Sequence, residues 1–125
     1  MSRRRMMTDF PMPWLGQYIL GGEEGHTPIP CYSLYEWGRW LESEARIVDW
    51  TGSTTFYVST VFLGLDQRML GKGPPIVFET MVFRNGRGDE CEQYSSWDDA
   101  EAGHKAMARR VFGKLEVVDE TRQHR

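Results

Sequence analysis

Cysteine is scarce in this chain. Cys31 and Cys91 are the only two in 125 residues, and they form no C-x-x-C pair. That excludes a zinc ribbon or a dithiol redox motif and leaves a single disulfide between them open. The three histidines, His26, His104 and His124, fall in a loop, a helix and the tail, with none of the spacing a metal triad needs. No metal and no cofactor are expected, and Met6, Met7 and Met12 make no copper site. No stretch approaches the roughly 18 consecutive apolar residues of a membrane helix. The opening MSRRRMMTDFPMPWLG has the basic flank of a signal peptide without its apolar core, so the expected location is cytoplasmic. The G-x-x-x-x-G-K-[ST] phosphate loop is missing as well, because Gly71 to Pro75 opens no helix.

What is present is enough for one packed domain. The hydrophobic fraction is 40% and the aromatic fraction 13%, which argues against disorder, since disordered chains cannot bury enough apolar surface. The formal charge of −3 conceals an asymmetry. Setting aside Arg3, Arg4, Arg5, Arg122 and Arg125 leaves ten basic residues against 18 acidic ones, a body charge of −8. Such a body repels a phosphate backbone, which argues against general nucleic-acid binding; it suits solubility or a basic protein partner.

Three regions follow: a basic arm over 1–13, a single α+β domain over 14–118 and a polar tail over 119–125. Trp14 to Leu20 reads as a first strand running into the Gly21-Gly22-Glu23-Glu24-Gly25 turn. Pro28 and Pro30 keep the next stretch extended. Ser33-Leu34-Tyr35-Glu36 is a capping box, and Leu34, Trp37, Leu41 and Ala45 predict an amphipathic helix to about Ala45. Gly38 within it suggests a close approach by another element. Arg46 to Thr51 reads as a strand, Gly52-Ser53 as a tight turn, and Thr54 to Leu63 and Ile76 to Phe83 as the two strongest strands. Both carry apolar residues on each face, predicting a sheet covered on more than one side. Asn85-Gly86 and Gly88-Asp89 mark a turn before a short strand at Cys91 to Tyr94. Ser96 caps a second helix with the stripe Trp97, Ala100, His104, Met107, Ala108 and Val111, ending at Gly113. Leu115 to Val118 adds an edge strand. The expected fold is an antiparallel β-meander of about four strands with two amphipathic helices packed on it.

Three blocks carry a resemblance: V-S-T-V-F-L-G-L-D-Q from Val58, G-K-G-P-P-I-V-F-E-T-M-V-F from Gly71, and Y-S-S-W-D-D-A-E-A-G-H from Tyr94. With T-P-I-P-C-Y-S-L-Y-E-W-G-R-W from Thr27 they resemble a family of small uncharacterised proteins encoded by bacteriophages and prophages. Gln67 stands where that family usually has histidine, which weakens a metal or acid–base role there. The resemblance implies a phage context and the cytoplasm of a host cell. It implies no particular chemistry.

Four polar residues are the candidates for ligand contact. Glu79 lies among apolar neighbours and needs a partner, a ligand or water; Ser59 would neighbour it if the register permits. Asp66 is either a turn former or a group at a pocket rim. His104, on an apolar helical stripe, reads first as a satisfied core residue. Trp14, Trp40 and Trp50 are the candidate partner anchors, because aromatic residues dominate interface energetics. Ser59 lacks the flanking glycines of a nucleophile elbow, and no catalytic constellation assembles with clarity.

The leading functional expectation is therefore a phage-type accessory binding protein, with an enzyme the less favoured reading. It would block a host protein, a defence protein among them, or sequester a small nucleotide-like ligand. One alternative is a small hydrolase or transferase using Glu79 with Asp66 or His104, which requires those side chains to converge. Another is a virion or assembly component. A spare apolar sheet face would also suit a homodimer.

Overall fold

The computed structural model describes residues 14–68 and 71–113. The basic arm, the strand expected at Leu115 to Val118, His124 and the polar tail lie outside these residues. The described chain is α+β: a two-stranded sheet of β1 (Tyr18–Gly21) and β2 (Thr27–Pro30), helix α1 (Leu34–Leu41), then a four-stranded sheet and a second helix. The sheet takes β3 (Ile47–Gly52), β4 (Phe56–Phe62), β5 (Phe78–Arg84) and β6 (Arg87–Tyr94) in the order β3-β4-β5-β6. Every pairing is antiparallel, so this is the expected meander. Helix α2 (Trp97–Phe112) contacts all four of its strands.

Local chemistry places these elements. Ser33 accepts the Glu36 amide at 3.1 Å and starts α1. The helix stops at Leu41 rather than at Ala45, because Ser43 caps a separate 3-10 turn over Glu44–Arg46. Asn85 and Gly86 both have positive φ, 52° and 81°, the geometry of a two-residue hairpin turn. That turn joins β5 directly to β6, which is longer than expected and begins at Arg87. Gly88-Asp89 is therefore not part of the turn: Val82 pairs with Glu90 and Phe83 with Gly88, so Asp89 is the extra residue of a bulge. A second bulge at Val48 interrupts β3. Ser96 accepts the Asp99 amide at 3.0 Å, Asp98 and Asp99 face the positive helix end, and Gly113 closes α2 with φ 82°.

The core lies between α2 and one face of the sheet. Val58, Thr60 and Phe62 of β4 and Phe78, Thr80 and Val82 of β5 point into it, against Ala100, His104, Met107 and Ala108 of α2. Tyr18 and Leu20 of β1 and Trp40 of α1 close one end against Phe62. The expectation of cover on both sheet faces is not met among the described residues: α2 and Trp40 pack on the same side, the one that carries Phe62 and Phe78, while the other face carries Ser59 and Glu79 among its apolar residues. Gly38, expected to admit a close neighbour, has none within 4 Å of its would-be Cβ. That role belongs to Gly103 of α2, where a Cβ would meet the Tyr94 hydroxyl oxygen at 2.2 Å.

Candidate functional site

The face turned away from α2 is ordered in three cross-strand rungs. Gly52, Tyr57, Phe83 and Gly88 form the first; Trp50, Ser59, Met81 and Cys91 the second; Ile47, Val61, Glu79 and Gln93 the third. The rings of Trp50 and Tyr57 stack at 5.3 Å between centroids, and those of Tyr57 and Phe83 at 4.9 Å. Trp50 can lean over Tyr57 because Gly52, directly opposite Tyr57, has no side chain. Gly52 is held at φ 132°, and a Cβ there would lie 2.4 Å from the Phe56 carbonyl oxygen. Gly88 sits at the far end of the same rung, where Met81 Sδ occupies the space 2.7 Å from a would-be Cβ. The result is a row of three aromatic rings across three strands, half-buried by one another, with Ile47, Val61 and Met81 beside it.

Glu79 is the carboxylate of this face. Its Oε1 accepts from Gln93 Nε2 at 3.0 Å, so the neutral amide of β6 satisfies it in part and leaves its charge uncompensated by that contact. Ser59 is not its direct cross-strand partner: Ser59 faces Met81, and Glu79 faces Val61 one rung along.

His104 lies on the opposite side of the sheet, 1% exposed. Its Nε2 is 2.8 Å from Thr51 Oγ1, and its Nδ1 is 2.7 Å from Thr60 Oγ1. Thr60 Oγ1 is in turn 2.5 Å from Thr80 Oγ1. Asp49 Oδ2 stands 3.7 Å from Nε2, and Asp49 Oδ1 accepts the Trp50 amide at 2.8 Å. Burial pushes the titration of Tyr94 up, the neighbouring Thr80 hydroxyl opposes that, and the nearby Glu92 charge adds to it. The phenol borders a surface groove of about 270 Å³ between β6 and α2, lined also by Glu92, Gly103, Ala106, Met107 and Arg110. Arg110 pairs with Glu90 and holds that carboxyl below the ordinary glutamate range.

Asp66 takes the turn-forming role. Its Oδ1 accepts from the Arg68 and Ile76 amides at 3.0 and 3.1 Å, and its Oδ2 from Arg68 Nε at 2.7 Å. Arg68 reaches on to the Gly73 carbonyl. Desolvation raises the Asp66 carboxyl, but the Arg68 side chain and the two amides outweigh it, and the group titrates below an ordinary aspartate.

The residues singled out from sequence thus fall at separate places. Glu79 and Ser59 lie on the outer face, His104 on the helix-covered face and Asp66 in the loop closing the end of the sheet. The convergence that a Glu79–Asp66–His104 hydrolase requires is not met. Trp50 lies on the outer face, whereas Trp40 packs edge-on against Phe62 on the inner side at 5.4 Å between centroids. Trp14, 39% exposed, donates to the Cys31 carbonyl at 3.1 Å and contacts the Tyr18 and Tyr32 rings. Both cysteines are free, Cys31 buried and Cys91 exposed. Among the described residues no group of three potential metal ligands forms, and no helix is long and apolar enough to cross a membrane.

Thr51, Thr60, Thr80, Tyr94 and Gly103 went unrecognised in the sequence. The available signal was the pair of threonines at inward positions of the two most apolar strands, where a hydroxyl needs a buried partner. Comparison with known proteins finds no matching family model, no similar curated protein and no similar solved structure.

Proposed function

We propose that the chain is a binding module that engages a protein partner through the outer face of its four-stranded sheet. The observation that carries this reading is the stacked row Trp50–Tyr57–Phe83, which lies opposite the helix-covered core. Stacked, rigid aromatic rings bury large area at small entropic cost, which is why they anchor interfaces. Glu79, whose hydrogen bond comes from a neutral amide, narrows the partner. A carboxylate inside an apolar contact is tolerated only when a cation meets it. The partner therefore offers an apolar surface with one lysine or arginine placed over the third rung. The acidic body, −8 once the five terminal arginines are set aside, favours the approach of such a basic surface. The phage resemblance read from the blocks at Val58, Gly71 and Tyr94 fits an accessory protein that occupies a host protein in this way.

The test is capture from bacterial lysate with the full chain as bait, followed by titration of the purified captured protein. Glu79→Arg reverses the proposed charge contact, Tyr57→Asp breaks the aromatic row, and Tyr35→Asp on the exposed side of α1 serves as control. Binding lost in the first two and retained in the third is expected, with circular dichroism confirming the fold of each. Binding that survives Glu79→Arg and Tyr57→Asp would overturn the proposal. So would a partner-free protein whose outer face closes in a homodimer, seen as a doubled mass that both variants abolish.

A further inference from the structure

The turn that joins β1 to β2 meets the start of α2 through two rings lying flat on each other. The imidazole of His26 and the indole of Trp97 have centroids 3.6 Å apart and planes 3° from parallel. We propose that this turn is an acid-strengthened strap. It grips α2 through the His26–Trp97 stack when the imidazole is protonated, and the grip slackens when the imidazole is neutral.

The β1–β2 sheet is separate from the four-stranded one. Backbone contacts fasten its base: the Tyr18 amide donates to the Gly64 carbonyl at 2.9 Å, and Gln17 bridges to Leu65. At the tip, Gly22 and Gly25 have φ of 84° and 75°, a conformation open to glycine that folds the chain back just before His26. Beneath the stack, Trp97 meets Phe78 edge-on at 6.2 Å and packs on the core cluster of Tyr18, Leu20, Phe62 and Ala100. The indole is therefore a fixed platform, and the imidazole is the half that can leave. The His26 side chain is 38% exposed, so it exchanges protons with solvent.

Charge gives the strap its sign. The turn carries Glu23 and Glu24, and the start of α2 carries Asp98, Asp99 and Glu101, whereas residues 21–30 and 94–103 contain no lysine or arginine. Two acidic segments thus meet around one imidazole. Glu24 Oε1 lies 3.5 Å from His26 Nδ1. A proton on His26 turns a stack of neutral rings into a cation–π contact, pairs with Glu24 and offsets the repulsion between the two segments. The partial positive charge of the α2 N-terminus acts the other way, but Asp98 and Asp99 already lie in its first turn. The Glu24 side chain is 81% exposed, so water screens its share and the indole carries most of the difference. The stability that the strap adds is therefore greatest at acid pH and declines as histidine loses its charge.

The test is a double-mutant cycle of His26→Gln and Trp97→Leu in the full chain, read by urea unfolding with circular dichroism at pH 5.5 and pH 8, values that bracket histidine titration. Contributions from the other histidines are common to all four corners and drop out. The coupling between positions 26 and 97, expressed as a folding constant, should be about two- to fivefold larger at pH 5.5 than at pH 8. Glu24→Gln should leave most of that difference in place. Equal couplings, a larger one at pH 8, or a difference that Glu24→Gln abolishes would overturn the proposal. Proton NMR of the wild-type chain provides a second arm that needs no folded Trp97→Leu. The His26 ring signals, assigned by their loss in His26→Gln, should lie upfield of a peptide histidine at the same pH, because the indole shields them. That displacement should be larger at pH 5.5 than at pH 8; none at pH 5.5, or one as large at pH 8, would sink the strap as well.

Discussion

Replacing Gly103 with alanine sets two known effects against each other. In a helix interior, alanine is favoured over glycine by about 0.8–1.0 kcal/mol. Against this, a Cβ at 103 would lie 2.2 Å from the Tyr94 oxygen, 2.3 Å from its Cζ and 2.4 Å from its Cε1. These are ring atoms, and the ring is packed against the core cluster of Phe62 and Phe78, so the clash cannot be relieved by turning a flexible chain end. Overpacking of this kind costs about 1–3 kcal/mol, and three contacts this short put it in the upper half of that range. The expected net effect is a destabilisation of about 1–2 kcal/mol, in a sense opposite to propensity. Urea unfolding followed by tryptophan fluorescence measures it, and a double-mutant cycle with Tyr94→Ala isolates the cause. With the ring gone, Gly103→Ala should become stabilising by up to about 1 kcal/mol, a coupling of roughly 2–3 kcal/mol. Gly103→Ala that stabilises the otherwise native chain would refute the placement of Tyr94 over α2.

Two further expectations follow from the caps and the loop. Asp66 titrates below its ordinary value in the native state, so the stability it contributes is present above the unfolded value near 3.8 and is lost as pH falls through the lower native one. Wild type should therefore lose stability more steeply than Asp66→Asn below about pH 4, in unfolding curves taken between pH 2 and 7. Ser96→Ala, which leaves the Asp99 amide without its acceptor, should cost about 1 kcal/mol by the same denaturation assay.

Much of the meander could be read directly. In β4 and β5 the period-two alternation survives folding intact, and Val58, Thr60 and Phe62 point to the same face as Phe78, Thr80 and Val82. The stripe of α2 likewise met the core at Ala100, His104, Met107 and Ala108. Trp14 to Leu20 read as a strand and Pro28 and Pro30 as extended chain, but their pairing into a β1–β2 hairpin was not legible, because proline removes ladder donors. The two prolines occupy alternate positions of a strand that, among the described residues, is paired on one side only, where a missing amide hydrogen is tolerated. Gly88-Asp89 shows a second limit. Composition marks departure from a regular ladder, but a bulge and a turn use the same residues. The candidate sites were less legible still. Glu79 was found because a charge interrupts an apolar strand, and Asp66 because it follows a glycine in a loop. The threonines around His104 were missed because a threonine in a strand looks the same whether its hydroxyl meets water, a neighbour across the strand or a buried imidazole.

The bulges at Val48 and Asp89 sit on β3 and β6, the two edge strands among the described residues. A newcomer strand lying alongside either one would have to accommodate an additional residue just where its ladder began, and its amides would fall out of step with the carbonyls they need. Lateral growth into a continuous ribbon is thereby frustrated at both margins. An assembly that uses the broad side of this sheet instead is finite by construction: it closes after one partner, and the protein can keep a sticky surface without becoming the seed of a fibre.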